Sequence, residues 1–402
     1  MIPNFVRKKF AGVQQPLGRW ILRHICEFIV LSPAILVTWI WLKVRRKEIL
    51  IVGRFSSSIT AFLMPLDPEL RRRSKTLGEL EKLIVLNLSP DANSQIRIMY
   101  DRVVRIIGAE KPLLRRVFWW CSFATRGVEE RDILECQNDP HWHHSDPVVA
   151  LTAEEISRGE ILLREAGFDL NQEFVCYATR TDSYYQKLRD RGVNVKSRSV
   201  RNPNESIYLT VSKSLSTEGL NIVRMGKDLD SNIDSSEHPW VFDYASTCRS
   251  EFLDVVLFSR CKFLINGATG SVLLRAIFNL PTVNSDTYRI HKNWFSGDVA
   301  TFQKVRFVSD GRLATVSEMV KMSDAFSDER HQEKLGVELV KNTAEEILAA
   351  CEEMIARLNG TWESTEEDEI LQTRYWDLIC KSGHNGGRIG AKFLRDNQDL
   401  LR

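Results

Sequence analysis

The chain has 402 residues, 43% of them hydrophobic and 27% charged, which is the composition of a folded protein of about two to three domains. A formal net charge of +2 gives no reason to expect a nucleic-acid-binding protein. The eight cysteines are scattered without a C-x-x-C pair, which argues against a zinc ribbon or a disulfide framework and fits a reducing compartment.

The N-terminal region, residues 1–48, contains an uncharged apolar segment, Phe28–Leu42, between basic flanks. This segment is shorter than the ~20 residues that a membrane-spanning helix needs, and extending it toward the N-terminus includes Arg23 and Glu27. We therefore expect residues 22–47 to lie on, or dip into, the cytoplasmic face of the inner membrane, with the basic flanks on anionic headgroups. A single-pass anchor and a buried core helix remain alternatives, and a cleaved signal peptide is not expected.

The first folded unit, residues 49–150, has the pattern of an α/β domain. Its predicted elements are strands over Ile49–Val52, Ile84–Leu88 and Val117–Phe123 and a helix over 92–107. Arg54 and Ser56 follow the first strand, at the carboxyl edge of the sheet, where open α/β proteins bind ligands.

A cluster of histidines lies near the end of this unit. His141, His143 and His144, with Asp146, stand between two prolines, which predicts a loop. Three interpretations stay open for the cluster: a metal site, contacts with an acceptor sugar, or ordinary loop residues.

The second unit, residues 151–360, opens with a helix whose start is marked by a capping box, Thr152 with Glu155. Strands are then predicted over Glu173–Thr179 and Leu220–Val223, and each delivers an arginine near its carboxyl end. The cations of this region are Arg180, Arg201, Arg224 and Lys227. Cations that converge on one sheet edge are what a diphosphate requires, although a surface arginine after a strand is the plain alternative.

The stretch 261–286 organises this second unit. A short strand at Phe263–Ile265, a polar glycine-bearing turn, a helix over Val272–Phe278 and a further strand from Pro281 form a βαβ unit of a parallel sheet. The turn offers backbone N–H groups and hydroxyls to an anion; its residues are Asn266, Gly267, Thr269, Gly270 and Ser271. An ordinary βα turn that binds nothing remains the alternative.

The C-terminal part is predicted to be mainly helical. An edge strand is expected at Arg306–Val308, followed by helices through about Leu358. A helical tail, residues 361–402, is expected to pack back on the first domain.

These motifs together resemble a family of bacterial glycosyltransferases related to GT-B enzymes of the fucosyltransferase and heptosyltransferase kind. The stretches that carry the resemblance are IVGRFSSSITAF (51–62), FVCYATRTDSYY (174–185), SVRNPNESIYL (199–209), IVRMGK (222–227), residues 242–271 and FNLPTV (278–283). The resemblance implies an α/β fold of two Rossmann-like domains that face a cleft. It also implies a nucleotide-sugar held by the second domain, and a role in building surface polysaccharide.

The resemblance carries over residue by residue. Arg180 fills the position of the arginine that meets the donor's diphosphate, while Ala178 and Thr179 replace the preceding histidine and valine of the family motif. The implied nucleotide-sugar residues are Arg180, Arg201, Asn202, Arg224, Gly226, Asn266, Gly267, Thr269, Gly270 and Ser271. On the acceptor side, Arg54 and Ser56 match the family.

We expect a metal-independent transferase with no cofactor, in which the nucleotide-sugar is a co-substrate and cations stabilise the leaving diphosphate. Asp182 is the candidate general base, and a helix-capping role is its alternative. The triplet Asp228-Leu229-Asp230 leaves a metal-dependent reaction open. Two other classes also stay open: an inactive partner or scaffold subunit, suggested by Ala178, and a nucleotide-sugar epimerase.

Overall fold

The computed structural model describes residues 17–53, 58–123, 139–181, 204–227, 231–267, 272–288, 295–322, 329–379 and 386–402, with the single residues 183, 186, 190, 202, 229, 269, 290 and 326 between them. The chain begins with a 28-residue helix, α1 (Leu17–Val44). It continues into two α/β units, each built on its own parallel sheet.

The first unit contains a three-stranded parallel sheet in the order β1-β2-β3. The strands are β1 (Glu48–Val52), β2 (Leu83–Asn87) and β3 (Arg105–Ile107). The helices are α2 (Ile59–Ser74), α3 (Glu79–Lys82), α4 (Ser94–Asp101), α5 (Pro112–Cys121) and α6 (Pro140–His144). All of β2 is buried, as expected for the centre of a parallel sheet with both faces covered.

The second unit contains a seven-stranded sheet, and all of its pairings are parallel. Its strands are β4 (Phe174–Ala178), β5 (Asn221–Met225), β6 (Val241–Phe242), β7 (Leu264–Gly267), β8 (Thr282–Thr287), β9 (Val299–Phe302) and β12 (Arg388–Ile389). A separate antiparallel ribbon pairs β10 (Lys304–Phe307) with β11 (Val337–Val340).

Helices surround the second sheet. They are α7 (Ala153–Glu165), α8 (Glu205–Thr217), α9 (Tyr244–Thr247), α10 (Glu251–Arg260), α11 (Val272–Phe278), α12 (Val316–Met322), α13 (Glu329–Leu335), α14 (Ala344–Leu358), α15 (Glu366–Ile379) and α16 (Ala391–Asp396), and a 3-10 turn (Gln398–Leu400) follows. The predicted capping box of α7 is present, because Thr152 accepts from the Glu155 N–H while the Glu155 carboxylate accepts from the Thr152 N–H.

Alternation along β4 divides the core of the second unit into two. Phe174 and Cys176 face an apolar cluster that continues into the first unit and includes Leu50 of β1. Val175 and Tyr177 face a second cluster on the opposite side of the sheet, which α8 and α14 cover. The prediction of an α/β protein with parallel sheets and an N-terminal apolar helix is therefore confirmed.

Three local predictions were wrong. The predicted strand Val117–Phe123 falls within and just after α5, because this segment packs as a helix against α1. The predicted helix over 92–107 ends at Asp101, and the third strand of the sheet is β3. The histidine cluster forms α6 with a capping Asp139, so it is a helical turn and not a loop.

The C-terminal tail packs on the second unit, contrary to the expectation that it returns to the first. β12 pairs with β9 and extends the large sheet. Tyr375 of α15 and Phe393 of α16 lie against Phe302 of β9, with ring centroids 5.9 and 4.8 Å away. The tail is therefore part of the second unit, because its apolar residues cover β9 and the neighbouring ribbon strand β10.

Candidate functional site

The order of strands in the large sheet reverses beside β4. From β4 the chain builds outward through β5 and β6, and it then returns to the other side of β4 to add β7, β8 and β9. The point between β4 and β7 is therefore a topological switch point, where the connections leave the two strands in opposite directions. In open α/β sheets the crevice outside the carboxyl ends at such a point is where ligands bind.

The carboxyl ends of β4 and β7 bring together two of the predicted segments. Ala178, the last residue of β4, is paired with Asn266 of β7. Thr179 and Arg180 continue from β4, while Gly267 is the last residue of β7 and Thr269 follows it. The structure thus places Arg180, Asn266, Gly267 and Thr269 at one edge of one sheet.

The residues that follow β7 are held by a side chain. The Asn266 carboxamide oxygen accepts hydrogen bonds from the Thr269 backbone N–H at 3.2 Å and from the Thr269 hydroxyl at 3.1 Å. These two bonds fix the start of the turn, so its geometry does not depend on a ligand. We call Asn266, Gly267 and Thr269 the β7 turn.

A buried chain of hydrogen bonds connects the β7 turn to β8 and to Asp298. Asn266 Nδ2 donates to Asn284 Oδ1 at 3.2 Å, and Asn284 Nδ2 donates to Asp298 Oδ2 at 3.2 Å. Asp298 is ion-paired with Arg275 of α11, at 2.7 Å between Nη2 and Oδ1. Burial raises the pKa of Asp298 to about 6, against the opposing effect of Arg275. The chain ties the turn to the helix that follows it.

On the β4 side, two buried hydroxyl groups have no hydrogen-bond partner within the part of the chain that the structure describes. The Thr179 side chain is only 5% exposed, and its hydroxyl has no hydrogen-bond partner among the described residues. The Tyr177 hydroxyl is also buried, and it has no hydrogen-bond partner among the described residues either. Burying a hydroxyl without a hydrogen bond costs roughly 1–3 kcal/mol. Two such groups at the end of one strand are consistent with a polar ligand that completes their bonding.

Arg224 has a different environment from the one that the sequence predicts. Its side chain is fully buried, and Nε and Nη2 donate to the two carboxylate oxygens of Glu205, both at 2.7 Å. Nη1 donates to the Ser231 carbonyl at 2.9 Å and to Asp243 at 3.2 Å. Because two carboxylates already neutralise this guanidinium, we assign Arg224 a structural role in place of the predicted contact with a diphosphate.

Gly226 follows Arg224 at the end of β5. Its φ is +158°, and a Cβ built there would lie 2.8 Å from the Leu229 side chain. The glycine is explained by this close approach within the protein. Asn202 lies near the same end of the sheet, because its carbonyl accepts from Lys341 and the N–H of the next residue, Asn342, donates to Asp286 of β8.

Six predicted site residues lie outside the described part of the chain: Arg54, Ser56, Asp182, Arg201, Gly270 and Ser271. Their described neighbours are nevertheless informative. Gly53 follows β1 with a φ of +66°, a conformation that favours glycine, and a Cβ there would lie 2.3 Å from Asn87 Oδ1. Ile59 shares an apolar cluster with Leu273 of α11. The ends of β1 and β7 thus lead into helices that pack against each other.

Arg71 of α2 joins the two units, a role that no local sequence pattern indicates. Its side chain is fully buried and paired with Asp67 at 2.7 Å. It also donates to the Ser145 carbonyl at 2.6 Å, to Asn279 Oδ1 at 2.7 Å and to the Ala276 carbonyl. The last two acceptors lie at the C-terminal end of α11, where a cation is favoured by the helix dipole.

The histidine cluster also lies at this contact. Trp142 is buried in the apolar cluster of Met64 and Leu273, and the His143 ring lies 4.3 Å from that of Phe295. Packing between the units therefore accounts for Trp142 and His143 without a ligand. Within the described ranges, no group of three or more histidine, cysteine or acidic side chains is arranged to hold a metal ion.

Comparison with solved structures found distant similarities in fold. No protein-family model matches the sequence, and no curated protein is detectably similar. The ADP-heptose LPS heptosyltransferase II of E. coli is similar over 60% of this chain and 85% of its own length, with 12% identity and a TM-score of 0.39. A glycosyl transferase of family 9 from Veillonella parvula DSM 2008 is similar over 77% and 97%, with 10% identity and a TM-score of 0.39. The chain is thus distantly similar in structure to glycosyltransferases of family 9, including a heptosyltransferase.

Proposed function

We propose that this protein is a glycosyltransferase that moves a sugar from a nucleotide-diphosphate sugar to a cell-surface glycan or a lipid-linked acceptor. The observation that carries the proposal is the meeting of Thr179 and Arg180 with the β7 turn at the switch point of the large sheet. Two of the stretches that resemble GT-B enzymes, 174–185 and 242–271, contain these residues.

The chemistry requires stabilisation of a leaving diphosphate. Arg180 is half-buried at the end of β4, where a guanidinium can make bidentate contact with phosphate oxygens. The Thr179 hydroxyl adds a hydrogen-bond donor beside it, while the Thr269 hydroxyl and N–H already donate to Asn266 and hold the β7 turn in place. Such preorganised donors stabilise the developing charge electrostatically, and we propose that they do so without a metal ion.

The acceptor hydroxyl needs a general base. Asp182, two residues beyond Arg180, is our candidate, and a base of this kind contributes roughly 10²–10⁴-fold to the rate. We expect Asp182→Asn to reduce turnover by about that factor while it leaves nucleotide affinity within about twofold. Turnover near the wild-type value would eliminate Asp182 as the base.

The first unit is the proposed acceptor side, with Arg54 and Ser56 as the residues that face the acceptor. Helix α1 belongs to the same unit, so a lipid-linked acceptor would be reached from the membrane surface. We propose that the protein works at the cytoplasmic face of the inner membrane.

One observation favours a second candidate, an inactive partner subunit. Ala178 stands where related enzymes carry a histidine, and its side chain is 1% exposed within the apolar core shared by the two units. This position therefore supplies no titratable group to the site. An epimerase of the same fold is the other alternative to a transferase.

A transfer assay separates these candidates. Purified protein in detergent is supplied with radiolabelled nucleotide-sugars, with and without a lipid and glycan extract, and with excess chelator. A metal-independent transferase labels the extract and releases nucleoside diphosphate even with excess chelator present. Neither product forms when the extract is left out. A changed sugar nucleotide without any acceptor would indicate an epimerase, and unchanged donors under all conditions would support the inactive partner.

A further inference from the structure

Helix α1 has two faces of different character. Its inner face is a stripe at helical spacing, with Leu31, Ile35, Trp39 and Leu42 in one apolar cluster with residues of β1, β2 and α5. Leu42 is fully buried in that cluster. The helix is thus attached to the first unit along most of its length.

A polar contact reinforces this attachment. Glu27 is the only acidic residue of α1, and it is ion-paired with Arg116 of α5 at 2.5 Å. The Trp120 indole N–H also donates to Glu27, at 3.4 Å. The attachment therefore extends from Glu27 to Leu42, which is roughly 22 Å along a helix.

The outer face of α1 is apolar and covered by nothing in the described structure. Its exposed side chains include Leu22, Ile25, Ile29, Val30, Leu36, Val37, Ile40 and Val44, and several are more than half exposed. By length and composition, Leu22–Val44 is long and apolar enough to cross a membrane, and only a small share of it is buried.

Both ends of this face are basic. Arg23 lies near one end, and Lys43, Arg45 and Arg46 lie at the other. A continuous apolar face with cations at both ends is complementary to an anionic lipid surface, where each basic residue contributes about 1 kcal/mol.

The aromatic residues at the end of α5 extend the same surface. Trp119 and Trp120 are in edge contact at 4.9 Å, and Trp120 also contacts Phe28 of α1 at 5.1 Å. Phe123 is 43% exposed beside them. Tryptophan and phenylalanine are favoured at the boundary between headgroups and hydrocarbon.

From these contacts we infer that α1 lies in the plane of one leaflet of an anionic membrane and does not span the bilayer. A spanning α1 would carry the ion pair of Glu27 and Arg116, and the edge of the first unit, into hydrocarbon, where charged groups are costly. An in-plane α1 places its outer face and the aromatic end of α5 in lipid and keeps its inner face on the protein. This inference concerns lipid binding and stands independently of the proposed glycosyl transfer.

Vesicle flotation tests whether the outer face binds lipid. Full-length protein is mixed, without nucleotide, with two kinds of vesicle. One kind contains phosphatidylcholine alone, and the other also contains about 30% phosphatidylglycerol, which makes its surface anionic. We expect Val30→Glu with Val37→Glu to lower partitioning into the anionic vesicles at least about tenfold. The matched control is Ile161→Glu with Ile370→Glu, which adds the same charge at exposed apolar positions elsewhere; equal partitioning of the two double variants would overturn the inference.

Spin-label depth distinguishes an in-plane helix from a spanning one. Cysteines are placed singly at positions 22, 29, 36 and 44, in a chain whose reactive cysteines are replaced, and depth is measured by power saturation in anionic vesicles. We expect similar, shallow depths at all four positions. A profile that is deepest at 29 and 36 and shallow at 22 and 44 would show a spanning helix and contradict the inference. A dimer that forms through α1 and displaces lipid, seen by sedimentation at equal protein concentration, would contradict it as well.

Discussion

The carboxyl ends of β5 and β4 present arginines in opposite environments. At the end of β5, Arg224 is fully buried and bonded to Glu205 and Asp243. At the end of β4, Arg180 is half-buried at the strand end that pairs with β7, and the neighbouring Thr179 hydroxyl is buried without a partner among the described residues. The difference teaches that a cation at a strand end does not by itself indicate an anion site. Carboxylates of the same protein neutralise Arg224, and this pairing accounts for its place at a strand end.

The largest expected effect is on the Arg224 side of this comparison. Arg224→Met leaves Glu205 and Asp243 without their cation, and we expect the free energy of unfolding to fall by about 3 kcal/mol in urea titrations. The control is Arg260→Met, at the exposed end of α10, which we expect to change stability by less than about 0.5 kcal/mol. If Arg224→Met were as stable as the wild type but failed to bind nucleotide, Arg224 would be a ligand residue after all.

A smaller effect is expected at the β7 turn. Asn266→Ala removes the two bonds to Thr269 and the bond to Asn284, and we expect a loss of about 1–2 kcal/mol of stability. We also expect nucleotide affinity to fall, since the turn is no longer held in place. The control is Asn221→Ala, at the amino end of β5. It removes hydrogen bonds to Gln172 and the Glu173 carbonyl and should leave nucleotide affinity unchanged. Equal affinity of both variants would argue against a site at the turn.

The smallest effect is expected at the surface ion pair of Arg102 and Glu155, which serves as a reference for the buried ion pairs of Arg224. The bond from Arg102 lowers the pKa of Glu155 to about 2. The pKa is lower in the folded protein, so Glu155 stabilises the fold above its unfolded value of about 4.3, and this contribution is lost as the pH falls toward 2. Because Arg102 is 37% exposed, solvent screening reduces the contribution to about 1 kcal/mol.

The stability difference between the wild type and Glu155→Gln measures this contribution. It should be largest near pH 7 and should narrow as the pH falls below about 4.5. A difference that stays constant down to pH 3 would show that the negative charge of Glu155 is not the source of its contribution.

The sequence predicted much of the fold because buried parallel strands are continuous apolar runs between turn residues. β4 and β7 were found in this way, and the capping box located α7. The segment at Val117–Phe123 was misread, because a short apolar run suits a strand and a buried helix equally well. Its helical state depends on α1, which lies far away in the sequence.

The candidate site was predictable only in part. Arg180 and the β7 turn follow strands that the sequence reveals, so their common edge could be inferred. The pairing of Arg224 could not, because Glu205 and Asp243 each lie 19 residues away along the chain. Arg71 was missed for the same reason, since its acceptors Ala276 and Asn279 belong to the other unit and lie 205 and 208 residues away.

Nucleotide binding tests the central claim, that the switch point between β4 and β7 holds a donor diphosphate. GDP, UDP, ADP and CMP are titrated by calorimetry into detergent-solubilised wild type, Arg180→Ala and Arg260→Ala. The account predicts that one nucleoside diphosphate binds the wild type and Arg260→Ala alike, and that Arg180→Ala binds it at least about tenfold more weakly. Binding that is equal in all three proteins, or absent from the wild type for all four nucleotides, would contradict it.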